Sequence, residues 1–200
     1  MAHLLLAKGR LRMVAEKLVV GLAGMPGAGK SVVVNVARAG GYAVVVMGDE
    51  VREEARRRGL EPTPENLGRI MLELRHLEGE AVIARRCTSK ILEKIESKVI
   101  VDGIRSLAEV EEFQHHFPKF TLVAVHSSPE TRFKRLYHRQ RSDDPKNWEI
   151  FRERDMRELS VGLGNAIAMA EYLIVNEGSL EEAKKQAAKV LKRIEKKWMK

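Results

Sequence analysis

The sequence of 200 residues contains one cysteine, Cys87, which excludes an internal disulfide and a cysteine-based metal cluster. A reducing cytoplasmic location is therefore expected. Aromatic residues make up only 5% of the chain, which argues against paired surface aromatics that stack on unpaired bases. No apolar run approaches the about 20 residues that a membrane-spanning helix needs. The apolar trio at 4–6 is followed by no small-residue cleavage site, so we expect neither a signal peptide nor a membrane partner.

Charge, in contrast, is abundant. Charged residues make up 32% of the chain and hydrophobic residues 44%, which is an ordinary globular composition, and the net charge is +8. An excess of cations suits either a nucleic-acid partner or a site for a polyphosphate. The cations concentrate in 128–158 and 184–200. Phosphate binding accounts for the first stretch, whereas the second leaves open nucleic-acid binding by a basic C-terminal helix at 183–200.

Apolar runs of strand length alternate with helical patterns along the chain. The predicted strands are 18–23, 43–47, 98–101, 120–126 and 172–175. Their nearly continuous Val, Ile, Leu and Ala content is typical of strands covered on both faces. The predicted helices are 30–39, 50–58, 64–96, 107–116, 129–139 and 148–170, the last broken near 162–164. This alternation predicts an α/β fold with a parallel sheet of about five strands and helices on both faces.

A glycine-rich loop, Gly-Met-Pro-Gly-Ala-Gly-Lys-Ser at 24–31, follows the first predicted strand and precedes a helix. This is the P-loop spacing, in which glycines let successive backbone N–H groups turn towards bound phosphates. We expect Lys30 to reach the β- and γ-phosphates and the Ser31 hydroxyl to help hold Mg²⁺. The expected nucleotide contacts are Gly24, Pro26, Gly27, Ala28, Gly29, Lys30, Ser31 and Val32. The loop therefore predicts ATP or GTP binding together with Mg²⁺.

The predicted strand at 98–101 leads directly into a carboxylate, Asp102. In a P-loop fold this is the usual place of the acidic residue that holds Mg²⁺. The alternative is that Asp102 caps the helix that begins near Leu107. A regulatory GTPase is disfavoured, because the chain contains neither an Asn-Lys-x-Asp tetrad nor an Asp-x-x-Gly switch.

With the P-loop, segments at 47–52, 102–105 and 141–152 resemble nucleotide kinases of the adenylate kinase and dephospho-CoA kinase group. The chain is most similar to an archaeal family related to adenylate kinases. This resemblance implies a P-loop NTPase three-layer sandwich of the nucleoside-monophosphate-kinase type. It further implies one kinase-like domain at 18–182, with an acceptor-binding helical insert at about 48–97 and a short lid at about 127–160. An N-terminal extension at 1–17 and a basic helix at 183–200 flank this domain.

The segment Met-Gly-Asp-Glu-Val-Arg at 47–52 resembles the Thr-Gly-Asp-x-x-Arg segment of adenylate kinases. The resemblance implies that Arg52 grips the acceptor phosphate. Met47 replaces the threonine that helps to recognise the base of AMP, so base recognition here differs. In dephospho-CoA kinases an Asp in this region is the candidate base for a ribose hydroxyl, which gives Asp49 a second role. A helix cap is the alternative for Asp49.

The segment Asp-Gly-Ile-Arg at 102–105 resembles the Asp-Gly-Phe-Pro-Arg segment of adenylate kinases, one residue shorter. The resemblance implies that Arg105 lies over the acceptor phosphate near the transferred group, with a plain surface arginine as the alternative. Arg75, on the helix predicted at 64–96, is a further acceptor candidate, although most charges on such a helix are solvated.

The arginine-dense stretch at 128–158 resembles an adenylate kinase lid. Arg-Ser-Asp-Asp at 141–144 with Arg152 reproduces the spacing Arg-x-Asp-Asp plus an arginine eleven residues after the first. The catalytic lid candidates are Arg141, Arg152 and Arg154, with Arg157 nearby. For the donor we also expect contacts from Arg135 and from Asn176, whose Asn-Glu-Gly loop resembles the Asn-x-Gly loop of dephospho-CoA kinases; an ordinary turn is the alternative.

The sequence thus favours an enzyme that moves the γ-phosphate of Mg·ATP to a small nucleotide-like acceptor. An AMP-type monophosphate is the favoured acceptor and dephospho-CoA the second. The departures at Met47 and 102–105 support a different class, a nucleotide-binding regulatory or sensor protein with little or no transfer activity.

Overall fold

The structure, a computed structural model, describes residues 16–140 and 144–198. Five strands form one sheet: β1 Leu18–Ala23, β2 Ala43–Val46, β3 Lys98–Ile104, β4 Lys119–His126 and β5 Tyr172–Val175. Their order is β2-β3-β1-β4-β5, and every pairing is parallel. The α/β P-loop fold predicted from the sequence is confirmed.

Nine helices are present in the described ranges. They are α1 Lys30–Ala39, α2 Met47–Arg57, α3 Pro64–Glu78, α4 Val82–Glu93, α5 Leu107–His116, α6 Pro129–Arg139, α7 Trp148–Ser160, α8 Leu163–Ala168 and α9 Leu180–Trp198. The segment predicted as an acceptor insert contains α2, α3 and α4, and the segment predicted as a lid contains α6 and α7. No helix in the ranges 16–140 and 144–198 is long and apolar enough to cross a membrane.

The sheet is the middle layer of three. On one face, a core cluster joins the sheet to α2, α3, α4, α5 and α8, with Ile70 and Phe113 at its centre. On the other face, α1 and α9 cover the sheet through residues such as Val33 and Ile194. Strand β1 is buried along its whole length because it lies between β3 and β4 and is covered on both faces. The loops that follow β1, β3 and β4 consequently meet at one edge of the sheet.

Several element boundaries differ from the sequence prediction; β3, predicted to end at residue 101, continues to Ile104. The helix predicted at 64–96 is two helices, because Gly79 takes a φ of 95° and ends α3. The strand predicted at 43–47 ends at Val46, and Met47 is the first residue of α2 with its side chain 1% exposed. The predicted break near 162–164 is present, and Gly162 lies there with a φ of 98°. At Val46, Gly79 and Gly162, core packing or glycine geometry, and not the spacing of apolar residues in the sequence, determines where the element ends.

Helices α2, α3 and α4 are tied together by ion pairs centred on Glu54, a residue of α2 that is only 7% exposed. Its carboxylate forms ion pairs with Arg57, with Arg58 at 2.7 Å and with Arg86 of α4 at 2.9 Å. Arg58 also reaches Glu73 of α3 at 2.7 Å. A carboxylate so enclosed by guanidinium groups fixes the three helices relative to one another.

Candidate functional site

The loop between β1 and α1 lies at the carboxyl edge of the sheet. Gly24, Gly27 and Gly29 all have positive φ, a region that favours glycine. A Cβ on Gly24 would lie 2.5 Å from the Val125 carbonyl oxygen of β4, so the loop also depends on a close backbone approach. Lys30, the first residue of α1, folds back and donates to the Gly24 carbonyl at 2.5 Å. The loop is therefore a compact turn closed by its own lysine.

Residues from the ends of β4 and β5 support this loop from behind. The Asn176 side-chain amide, which is buried, donates to the Ala28 carbonyl at 2.9 Å. Ser127 donates to the Asn176 carbonyl at 2.5 Å. Arg135 donates to Ser127 Oγ at 2.9 Å and to the Asn176 carbonyl at 3.0 Å. Arg135 and Asn176, which the sequence analysis expected to contact the phosphate-donor nucleotide, thus lie together beside the P-loop. Ser127 joins them, and the sequence analysis did not single it out.

Arg132 of α6 connects the loop to α7. It is 3% exposed and donates to the carbonyls of Ser127 and Pro26, at 3.1 and 3.3 Å. Both of its terminal nitrogens donate to the Asp155 carboxylate of α7, and its guanidinium lies 4.9 Å from the ring centroid of Phe151. The sequence analysis covered Arg132 only as part of the arginine-dense stretch at 128–158. Its partner Asp155 lies 23 positions later in the chain, so no local pattern indicated that Arg132 is buried.

A second cluster of charges faces the loop from β3 and α7. Arg105 follows β3, and its Nε donates to Glu158 Oε2 of α7 at 2.9 Å. The backbone N–H of Arg105 donates to Glu109 Oε2 at 2.7 Å. Arg105 is therefore held at its backbone by α5 and at its side chain by α7. Glu158 was not predicted, because the segment that resembles adenylate kinase lids, 141–152, ends before it.

Lys30, Arg154 and Asp102 interact electrostatically with this cluster. Burial lowers the pKa of Lys30, and the charge of Asp102 opposes that shift. Burial alone would raise the pKa of Glu158, but Arg105, Lys30 and Arg154 together outweigh it and lower that pKa. The charge of Glu158 raises the pKa of Arg105. Lys30, Arg105 and Arg154 thus interact with the carboxylates of Asp102 and Glu158 in one partly desolvated site.

Asp102 pairs with Leu22 at the carboxyl end of β3, immediately before a β-bulge at Gly103. Its Oδ1 is buried and has no hydrogen-bond partner in the described part of the chain. It does not cap α5, because Ser106 is the cap residue and accepts from the Glu109 N–H. An orphaned carboxylate oxygen fits a cation.

Mg²⁺ prefers oxygen ligands and usually keeps several waters and substrate phosphates. Asp102 and the exposed Ser31 hydroxyl supply two such oxygens beside the loop. The described residues contain no group of three or more His, Cys, Asp or Glu side chains that could hold a metal by themselves. The site thus suits a cation that arrives with phosphates rather than one enclosed by protein.

The predicted acceptor residues lie in two settings. Asp49 and Arg52 are exposed on α2, and the guanidinium donates to the carboxylate at 2.6 Å. Asp49 is not the cap of α2, because the cap position is Val46 and no side chain caps it. The Met47 side chain is buried in the core cluster.

Arg75, in contrast, is 5% exposed and pairs with Glu109 at 2.6 Å. Its Nε and Nη1 have no hydrogen-bond partner among residues 16–140 and 144–198. Glu109 is the carboxylate that holds the Arg105 backbone, so Arg75 lies behind Arg105 and not in an open cleft.

The predicted lid arginines separate on the two sides of α7. Arg154 is half-buried and close enough to Lys30 and Glu158 to shift their pKa values, whereas Arg152 and Arg157 are exposed. Helix geometry explains this, since residues four apart, such as 154 and 158, share a face and residues two apart do not. Arg141 lies outside the described residues.

Comparison with known proteins agrees with this geometry. Residues 23–152 match a family described as "AAA domain". A UPF0200 protein of Hyperthermus butylicus is 54% identical over 180 residues, covering 90% of this chain and 96% of that protein. Among solved structures, a gluconokinase from Sinorhizobium meliloti has a TM-score of 0.58 at 18% identity, covering 92% of this chain and 96% of that one. A shikimate kinase from Acinetobacter baumannii in complex with shikimate has a TM-score of 0.52 at 19% identity, covering 95% and 99%. At such identity the two structures show a shared fold and no more.

Proposed function

This chain belongs to the UPF0200 family and has a P-loop kinase-like fold, and from that premise we propose that it is an ATP-dependent phosphotransferase. The proposed reaction moves the γ-phosphate of Mg·ATP to a nucleotide or nucleotide-like acceptor. One observation carries this proposal: Lys30 of the P-loop, Arg105 after β3 and Arg154 of α7 interact in a single partly desolvated site.

Phosphoryl transfer requires positioning and neutralisation of charge more than covalent chemistry by the protein. In the proposed role, the backbone N–H groups of the loop and Lys30 bind the β- and γ-phosphates. Arg154 of α7 and Arg105 after β3 stabilise the charge that spreads over the oxygens of the transferred group. Helix α7, fixed to the loop through Asp155 and Arg132, excludes water that would otherwise compete as the acceptor.

The residues that would hold Mg²⁺ are Ser31 and Asp102, and the ion neutralises phosphate charge when bound. The donor nucleoside is assigned to the side of the loop where Val32, Arg135 and Asn176 lie. Arg135 and Asn176 already bond to each other and to the loop region, so their first contribution is to hold the phosphate loop in its bound shape.

The acceptor is assigned to the side formed by α2 and the loop after β3. Arg52 and Arg105 supply two guanidinium groups, which favours an acceptor that carries a phosphate, such as an AMP-type monophosphate. Asp49 lies beside Arg52 and would take a proton only from a hydroxyl acceptor, such as the ribose of dephospho-CoA. Arg75 contributes by fixing Glu109 and through it Arg105.

The test is an ATP-consumption assay with AMP, CMP, UMP, GMP and dephospho-CoA as acceptors, with thermal-shift binding in parallel. We expect acceptor-dependent formation of ADP by the wild type and its loss in Lys30→Met. Lys134→Met, which removes an exposed lysine of α6, is the matched control and should retain activity.

Stabilisation by ATP without turnover on any acceptor would reject the transferase and favour the alternative, a nucleotide-binding sensor. A wild type that ATP does not stabilise would reject both.

A further inference from the structure

Glu158 is a carboxylate in the middle of a cationic site. It lies on α7 with its side chain 15% exposed, and its Oε2 is 2.9 Å from Arg105 Nε. Lys30 and Arg154 are close enough to influence its ionisation. The other carboxylates near these cations are Asp102, which interacts with Lys30, Glu109, which is occupied by Arg75 and the Arg105 backbone, and Asp144, which lies 4.0 Å from Arg154 and also pairs with Arg139. Glu158 is the carboxylate of this cluster that pairs directly with Arg105 and also interacts electrostatically with Lys30 and Arg154.

The proposed reaction gives Glu158 no chemical task. A general base must accept a proton, and the lowered pKa of Glu158 makes it a poor one. Its carboxylate also lies among the cations that the proposed transfer needs for phosphate oxygens. Guanidinium groups bind carboxylates and phosphates in the same geometry, so a phosphate group can take the place of a carboxylate.

We propose that the Glu158 carboxylate occupies, in the ligand-free protein, the subsite of a substrate phosphoryl group, and that phosphate binding displaces it. This inference rests on the proposed function, because the substrate phosphates replace its charge. Without Glu158, Arg105 would lose its side-chain ion pair, and the positive charge of Lys30, Arg105 and Arg154 in a partly desolvated site would be less well compensated, at an electrostatic cost. Glu158 lowers that cost in the free protein and competes with the ligand for the same cations.

Two consequences follow for the ligand. It must bring a strongly charged anion to this subsite, because a neutral group cannot replace a carboxylate that pairs with Arg105 and interacts electrostatically with Lys30 and Arg154. Glu158 can leave without detaching α7, because the Arg132–Asp155 pair holds the same helix one turn earlier. The subsite is therefore selective for a phosphoryl group and opens by a local change at residue 158.

The experiment measures dissociation constants by isothermal titration calorimetry at low salt, with a non-hydrolysable ATP analogue and with inorganic tripolyphosphate. Glu158→Gln keeps the shape of the side chain but removes the competing charge, so both ligands should bind at least about tenfold more tightly than to the wild type. The matched control is Glu153→Gln, which removes an exposed carboxylate from the same helix and should change binding by less than about twofold.

Glu158→Asp provides a second variant in case Glu158→Gln does not fold. Its carboxylate is one methylene shorter, and binding should tighten by about two- to fivefold. Equal or weaker binding by the folded Glu158 variants would overturn the inference. If the ATP analogue binds to no variant while tripolyphosphate binds more tightly to Glu158→Gln, the proposed function fails and the displaced carboxylate stands.

Discussion

The carboxylate of Asp155 in α7 accepts hydrogen bonds from both terminal nitrogens of Arg132 in α6, at 2.8 and 2.6 Å, and both residues are buried. The same guanidinium donates to the carbonyls of Ser127 and Pro26. One side chain therefore joins the helix that carries Arg154 and Glu158, the end of β4 and the phosphate loop. The position of α7 depends on this ion pair, which lies beside the phosphate loop.

Asp155→Ala should strongly destabilise the protein. The substitution leaves the Arg132 charge buried without its partner, and loss of one member of a buried ion pair typically costs about 3–5 kcal/mol. Urea denaturation at neutral pH measures this free energy. The double variant Arg132→Met with Asp155→Leu replaces the pair with apolar groups and should recover much of the loss. A cost below about 1 kcal/mol for Asp155→Ala would show that solvent reaches this pair.

The two arginines on α7 should differ sharply in their contribution to transfer. If the proposed function holds, Arg154→Ala should lower kcat by about 10³-fold or more, the effect expected of an arginine that stabilises the transferred group. Arg152→Ala should change kcat by less than about threefold, because Arg152 is exposed on another face of the helix. Steady-state kinetics with the best acceptor gives both values. A larger loss in Arg152→Ala would restore the assignment that the lid spacing predicts.

These two arginines also show where sequence reasoning reached its limit. The strand that leads into the P-loop, the loop itself and the strand that ends at Asp102 were predictable, because each is encoded by consecutive residues with a local physical meaning. The choice between Arg152 and Arg154 depends on the rotation of α7 about its axis. That rotation is set by the contact of Asp155 with Arg132, residues that come from different segments of the chain.

Glu158 and Arg75 were missed or misplaced for the same reason. Glu158 acquires its environment only when α7 packs beside Arg105, 53 positions earlier in the sequence. Arg75 has the surface-like sequence context of an amphipathic helix, yet Glu109 holds it in the interior. Charged residues that pair across long sequence separations leave no periodic signal. They are the part of the site that needed three-dimensional structure.

Gly29→Ala should weaken nucleotide binding through a clash as well as through backbone strain. Gly29 has a φ of 95°, and a Cβ there would lie 2.1 Å from Nδ2 of Asn176, which is buried and bonded to Ala28. Gly59→Ala is the matched control, since Gly59 also has a positive φ but nothing within 4 Å of an added Cβ. Both variants should lose roughly 1–2 kcal/mol to backbone strain.

Only Gly29→Ala should lose the Asn176–Ala28 hydrogen bond, which lowers its free energy of unfolding by about 1 kcal/mol more. The same variant should bind ATP at least about tenfold more weakly than the wild type. Thermal melting and calorimetric titration separate the two effects. Normal ATP affinity in Gly29→Ala would mean that Asn176 moves aside and is not needed to shape the loop.

Lys30→Met should stabilise the ligand-free protein at neutral pH while it abolishes ATP binding. Burial lowers the pKa of Lys30 from its ordinary value of 10.5, so the charged lysine is less favourable in the folded than in the unfolded state. Between the folded and the unfolded pKa the unfolded chain binds more protons, and wild-type stability therefore rises with pH. Below that interval the wild type carries the full penalty, which Lys30→Met removes.

The stability advantage of Lys30→Met should be roughly 0.5–2 kcal/mol at pH 7, the usual gain when a functional site is relieved of its strain. It should shrink as the pH rises towards 10.5, where the wild-type penalty disappears. Lys134→Met removes an exposed lysine and should shift stability by less than about 0.5 kcal/mol at every pH. Saturating ATP should reverse the order, because a ligand at 100 times its Kd adds about 2.7 kcal/mol to the wild type alone. If Lys30→Met is instead less stable at pH 7 without ligand, the hydrogen bond from Lys30 to Gly24 stabilises the protein by more than the burial of Lys30 destabilises it. The loop is then held closed by the same residue that is proposed to bind the phosphates.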